Sequence, residues 1–175
     1  MRDFEDALGD LYDLLYDINV SQLDKGLRRI EETVRPAIFS GIVSDVLAAA
    51  LAKHSRTLTT NQFHNGHPDL IPEGRYPLDA VASGDAGVEV KVTKGSGSVD
   101  AHGARPGWFC LFRYQCDAVT EPVVAREATR VTEILLARLT MEDFRTNNRG
   151  ALGTRTSSPN RSGLMKLRQN WVYRI

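Results

Sequence analysis

Apolar positions early in the chain recur at helical spacing. Leu8, Leu11, Tyr12 and Leu15 fall on one face of a helix predicted over residues 3–17, and Leu23, Leu27, Ile30 and Val34 repeat the spacing over 21–34. From Ala37 to Ala52 the residues are apolar almost all round, which predicts a buried helix opened by Pro36 and ending near Lys53 and His54. Beyond it the period drops to two. Strands are predicted near 56–63, at Asp69–Ile71 before the breaker Pro72, and over 88–93, with the stretch 78–82 closing a hairpin between them. Further strands follow at 108–116 and 130–139, and Thr140 caps a short helix from Met141 to Phe144. The chain closes on an amphipathic turn, 163–170, and a strand, 171–173. Residues 95–107, GSGSVDAHGARPG, form a loop by composition and lack the Gly-Lys-Ser/Thr ending of a P-loop.

This order of elements predicts an α/β domain with a central mixed sheet flanked by helices. A chain of 175 residues with ordinary apolar content makes one domain, with residues 1–35 as a helical addition, 36–139 as core and 140–175 as a basic end segment. The N-terminus, with Asp3, Glu5, Asp6 and Asp10, lacks the basic flank of a signal peptide, and the runs read as too short to span a membrane, so the expectation is a cytoplasmic protein without a membrane partner. Cys110 and Cys116 fall within one predicted strand, too far apart to bridge, and read as reduced core residues.

The chemistry concentrates between residues 68 and 91. Pro68-Asp69 opens one short strand, and Glu89-Val90-Lys91 lies in the next. Side chains two apart on a strand share a face, so Glu89 and Lys91 project together while Val88, Val90 and Val92 turn to a core. Two carboxylates and a backbone carbonyl suit a hard divalent cation that keeps part of its water, and a fixed ammonium beside it suits charge developing on a phosphoryl group. Asp69, Glu89 and the Val90 carbonyl are the candidate ligands, with Lys91 to orient or deprotonate a water. A solvated strand face and an ordinary turn are the plain reading of the same residues. Asp45, the lone ionisable residue of the apolar helix, shares a wheel face with Ile38, Ile42 and Ala49. That face is expected to turn inward, where a carboxylate needs a partner or a metal and Asp45 would be a further acid of the site; an aspartate exposed on a partly covered helix is the plain alternative. His64 and His67 flank Asn65-Gly66 without a third zinc ligand; His67 reads as a turn residue or as a group at the rim of the site.

Asp69, Glu89 and Lys91 together resemble the PD-(D/E)XK pattern of the restriction-endonuclease-like nuclease superfamily, over roughly residues 45–116. The resemblance implies a restriction-endonuclease-like core and a magnesium-dependent DNA endonuclease, with manganese able to substitute. A type II restriction enzyme acting on double-stranded DNA as a homodimer fits it best. A junction resolvase or other repair nuclease, or a DNA-binding protein without cleavage, are the alternatives. In the family an acid from the helix before the strands often joins the metal cage, usually a glutamate; Asp45 matches by position and departs by type, so the resemblance implies contact through a water more readily than direct ligation.

Net charge is zero, but its distribution is uneven. Residues 1–17 hold six acids against Arg2, whereas 145–175 hold seven bases and no acid. The basic segment is either a phosphate-binding surface or a partner for the acidic first helix. Asn147, Asn148, Arg149, Arg155, Asn160 and Arg161 are the candidates for DNA contact, being amides and guanidiniums of the kind that meet phosphates and base edges.

Overall fold

The computed structural model describes residues 1–96, 103–147 and 156–175. Helices α1 (Arg2–Asp24), α2 (Ile30–Thr33) and α3 (Pro36–His54) come first, then strands β1 (Leu58–Thr60), β2 (Leu70–Pro72), β3 (Val88–Lys94), β4 (Gly107–Gln115) and β5 (Arg130–Leu139). A hairpin of β6 (Phe144–Asn147) and β7 (Thr156–Pro159), helix α4 (Arg161–Gln169) and strand β8 (Trp171–Arg174) complete the chain. Six strands form one sheet in the order β1-β2-β3-β4-β5-β8, in which β3 and β4 run parallel and every other pair antiparallel. The expected α/β class with a mixed central sheet is therefore what forms.

Strand parity divides the core in two. On one face Val90, Cys110, Phe112, Tyr114 and Ile134 pack beneath Phe39, Val43 and Leu47 of α3 and Leu8 and Leu11 of α1. On the other, Phe109, Leu111, Leu135 and Ala137 meet Leu167 of α4, with Phe144 beside them. The register aligns Glu89 with Phe109, Lys91 with Leu111 and Thr93 with Arg113, so Glu89 and Lys91 lie on the α4 side. Close-packed apolar side chains on both faces of β4 explain why it reads as a continuous apolar run.

Three expectations change. The second predicted helix, 21–34, does not form: α1 runs on to Asp24, the chain turns at Gly26 with φ +72°, and only the single turn α2 follows. Glycine tolerates that backbone, and the turn is then fastened by buried Arg29, which pairs with Glu32 at 2.9 Å and donates to the carbonyls of Asp117 and Glu127. The stretch 78–82 supplies no hairpin strand; Pro77–Asp79 is a 3-10 turn. Helix α3 is long and apolar enough to cross a membrane by length and composition, contrary to the expectation that no run is; one stripe of it, Phe39, Val43, Leu47 and Leu51, is buried against the rest of the fold.

Among the described residues the basic end segment makes no ion pair with α1, whose Asp10 is taken by Lys53 and His54 of α3. Instead Lys166 of α4 lies 2.6 Å from Asp143, a fully buried carboxylate that also accepts from the Thr140 N–H, the Thr140 hydroxyl and Ser162. Arg174 of β8 joins Arg113 on buried Glu133. Asp143 thus fastens the capped turn after β5 to α4. Asp143→Ala is expected to lower stability by about 3 kcal/mol, since it strips several buried hydrogen bonds at once; urea unfolding measures this, and a loss within error of zero would refute the fastening role.

Candidate active site

β2 and β3 share one register pair, Leu70 with Val88, and then separate. In the gap the Asp69 carboxylate takes over from the ladder: its Oδ2 accepts the Val90 N–H at 2.8 Å. The approach that permits this depends on Gly87, whose φ is +139° and where a Cβ would lie 2.1 Å from the Leu70 carbonyl oxygen. Asn61 holds the other side of the segment. Its N–H bonds the Asp69 carbonyl at 2.9 Å, and its side-chain amide donates to the carbonyls of Pro68 and Val81 while accepting from the Val81 N–H. Asp69 is therefore placed by backbone on both flanks.

Glu89 projects from the α4 side of the sheet and is buried. Lys91, two residues on, puts its Nζ 2.5 Å from Glu89 Oε1, as strand parity requires. His67 Nδ1 lies 2.5 Å from Glu89 Oε2, so both oxygens of the carboxylate have a nitrogen against them. These groups line a cavity of about 500 Å³ together with Asn65, Gly66, Gly103, Arg105 and Phe109. The two carboxyls are driven apart in acidity. Burial, followed by the neighbouring Glu89 charge, raises Asp69 to about 6. Burial pushes Glu89 up as well, but the contacts with His67 and Lys91 outweigh it and hold Glu89 at about 2.

The sequence-derived triad Asp69, Glu89 and Lys91 is thus brought together. His67 belongs with it, while exposed His64 does not line the cavity. Asp45 is a correction. It is exposed and lies outside the cavity, because α3 turns its Phe39, Val43 and Leu47 stripe inward and leaves Ile38 exposed on the Asp45 side. The neighbouring Ser44 faces the sheet and donates to the Val90 carbonyl at 3.2 Å. Asn160 caps α4, accepting from the N–H groups of Ser162 and Gly163 and donating to the Glu142 carbonyl, and it lines a hollow beside Arg161. Arg161 is exposed at the start of α4, and Asn147 ends β6, paired with Thr156. Asn148, Arg149 and Arg155 lie outside the described residues.

Asn61 and Arg105 escaped the sequence reading. Asn61 lies inside the predicted strand 56–63 and directly after the end of β1. Arg105 stands two residues before β4, and the parallel register of Val88 with Trp108 brings that end of β4 beside Glu89. The donor set suits a magnesium-like cation. The Asp69 and Glu89 carboxylates both line the cavity, whereas Val90 is not among the lining residues and its carbonyl accepts from Ser44. Among the described residues no group of three or more His, Cys, Asp or Glu side chains is set to hold a metal, so water and a substrate oxygen would complete the shell.

No protein-family model, curated protein or solved structure matches this chain.

The raised Asp69 acidity fixes a pH dependence. A carboxyl that holds its proton more tightly when folded contributes stability that is fully present below its unfolded pKa of 3.8 and is lost as pH rises to about 6. Asp69→Asn keeps an acceptor for the Val90 N–H and removes the buried charge. Above pH 6, without divalent metal, the variant is expected to be more stable than the parent by about 2 kcal/mol, and the gap should close towards pH 4. Urea unfolding of both proteins from pH 4 to 8 tests this; a gap that does not vary with pH would contradict the assigned environment.

Proposed function

We propose that the chain is a divalent-metal-dependent DNA endonuclease of the PD-(D/E)XK kind, hydrolysing phosphodiester bonds, and most simply a type II restriction endonuclease acting as a homodimer. The observation that carries this reading is the meeting of Asp69, Glu89 and Lys91 in one cavity, with both carboxylates largely buried there. A bound magnesium ion would supply Lewis acidity to a phosphoryl oxygen and lower the pKa of a water. Asp69 and Glu89 would hold it. Asp69 is positioned by the Val90 N–H, so its remaining oxygen is oriented before any ligand arrives. Lys91 Nζ, beside Glu89 Oε1, stands where it can orient a water or stabilise charge on the phosphoryl oxygens. Arg105, half-buried in the cavity wall, adds a second fixed cation without a carboxylate partner among the described residues.

Cation binding has a readout independent of cleavage. At pH 8, 10 mM magnesium chloride is expected to raise the thermal midpoint of the parent and leave that of Asp69→Asn unchanged, because only the parent offers both carboxylates. Equal shifts in the two proteins would remove Asp69 from the site. For activity, plasmid and unmethylated genomic DNA are incubated with magnesium. Asp69→Asn and Lys91→Ala are expected to lose at least ~10³-fold in rate, and Arg105→Ala about 10- to 100-fold. Discrete fragments support restriction, cutting confined to branched DNA supports the resolvase alternative, and no cutting of any of these by the parent would overturn the enzyme reading.

A further inference from the structure

The seven bases of the end segment do not act alike. Lys166 and Arg174 are spent on Asp143 and Glu133. Arg145, Arg161 and Arg168 instead surround an open hollow of about 510 Å³ between β6 and α4. Arg161 and Arg168 are seven apart on α4 and so share a helix face, with Leu164 and Met165 between them forming the apolar floor. Arg145 reaches the hollow from β6, its Nε 3.4 Å from Ser158 Oγ. All three guanidiniums are exposed, none has a carboxylate partner among the described residues, and no acidic side chain lines the hollow. Three like charges held around one depression repel one another, and that cost is recovered when a polyanion sits there.

The hollow also lies on the sheet face that carries the cavity. Phe109 lines the cavity and belongs to the cluster that holds Leu167 of α4, the helix that carries Arg161 and Arg168. Asp143 locks the start of α4 to the turn before β6, with the Asn160 N–H bonded to the Asp143 carbonyl at 2.8 Å, so the three arginines are carried on a fixed frame.

We propose that Arg145, Arg161 and Arg168 form a clamp for the phosphate backbone of double-stranded nucleic acid, separate from the cavity that holds Asp69 and Glu89. The choice of nucleic acid over another polyanion rests on the phosphodiesterase reading of that cavity. Guanidiniums suit the task because their paired N–H groups match two phosphate oxygens, and a backbone contact positions a duplex without reading its sequence.

Binding of a fluorescent 30-base-pair duplex is measured in EDTA, where no cleavage interferes, across a series of sodium chloride concentrations. Each phosphate contact contributes about 0.9 to the slope of log K against log salt, so the variant with all three arginines changed to Ala is expected to lose between about 2 and 3 in slope. It should bind at least ~10-fold more weakly at low salt, whereas Arg161→Lys and Arg168→Lys should keep most of the slope. Urea midpoints matching the parent exclude a folding defect, and single Ala variants, each losing about 0.9, serve if the triple variant does not fold. An unchanged slope and affinity would overturn the clamp. Binding to phosphatidylserine vesicles that needs the arginines, with duplex binding that does not, would overturn it in favour of an anionic surface. Parent protein that cuts DNA with arginine-independent binding refutes the clamp alone; arginine-dependent binding without any cutting in magnesium refutes the nuclease reading alone.

Discussion

The hydrogen bond from the Val90 N–H to Asp69 Oδ2 is the constraint around which the cavity is built. It stands where the next rung of the β2 and β3 ladder would be, so a side chain completes a sheet that the backbone leaves open. Asp69 therefore approaches in the plane of the sheet, whereas Glu89 approaches from its face. Residues twenty positions apart meet without either strand leaving its regular course. Gly87 makes the approach sterically possible, and Asn61 supplies the matching hold from β1. The arrangement costs desolvation of a carboxylate, which is visible in the reluctance of Asp69 to ionise.

Charge at the cavity is balanced unevenly. Glu89 has Lys91 and His67 against it, while Asp69 has one backbone donor and a carboxylate neighbour. An incoming cation gains more from such a pair than from two carboxylates already neutralised, and Lys91 and Arg105 keep the rim hospitable to a negatively charged substrate.

Much of this was legible in the sequence, and the failures have particular causes. The alternation from Val88 to Thr93 correctly assigned Glu89 and Lys91 to one face, because a strand's period of two leaves only two choices. The α3 limits were legible from Pro36 and the polar Lys53-His54. Its inward face was not: the Ile38, Ile42 and Ala49 stripe and the Phe39, Val43 and Leu47 stripe are both apolar, so the wheel could not say which would meet the sheet. That ambiguity misplaced Asp45. The β6 and β7 hairpin lacks any apolar alternation and pairs only with itself, leaving no periodic trace. Asn160 carried a signal for its capping role, since Asn before a short helical pattern is a cap, but its place in a basic, hydroxyl-rich stretch drew attention to DNA contact alone.

The two rims of the sheet carry a consequence for assembly. β1 contributes three residues and β8 four, and β8 is further occupied by Arg174, which bonds Glu133 inside the sheet and lies over the Trp171 ring. Neighbouring copies would find too little free ladder at either rim to join their sheets into a continuous one. In a pair of chains that met through helices or loops, the orientation of each cavity would be set by side-chain fit instead of by strand register.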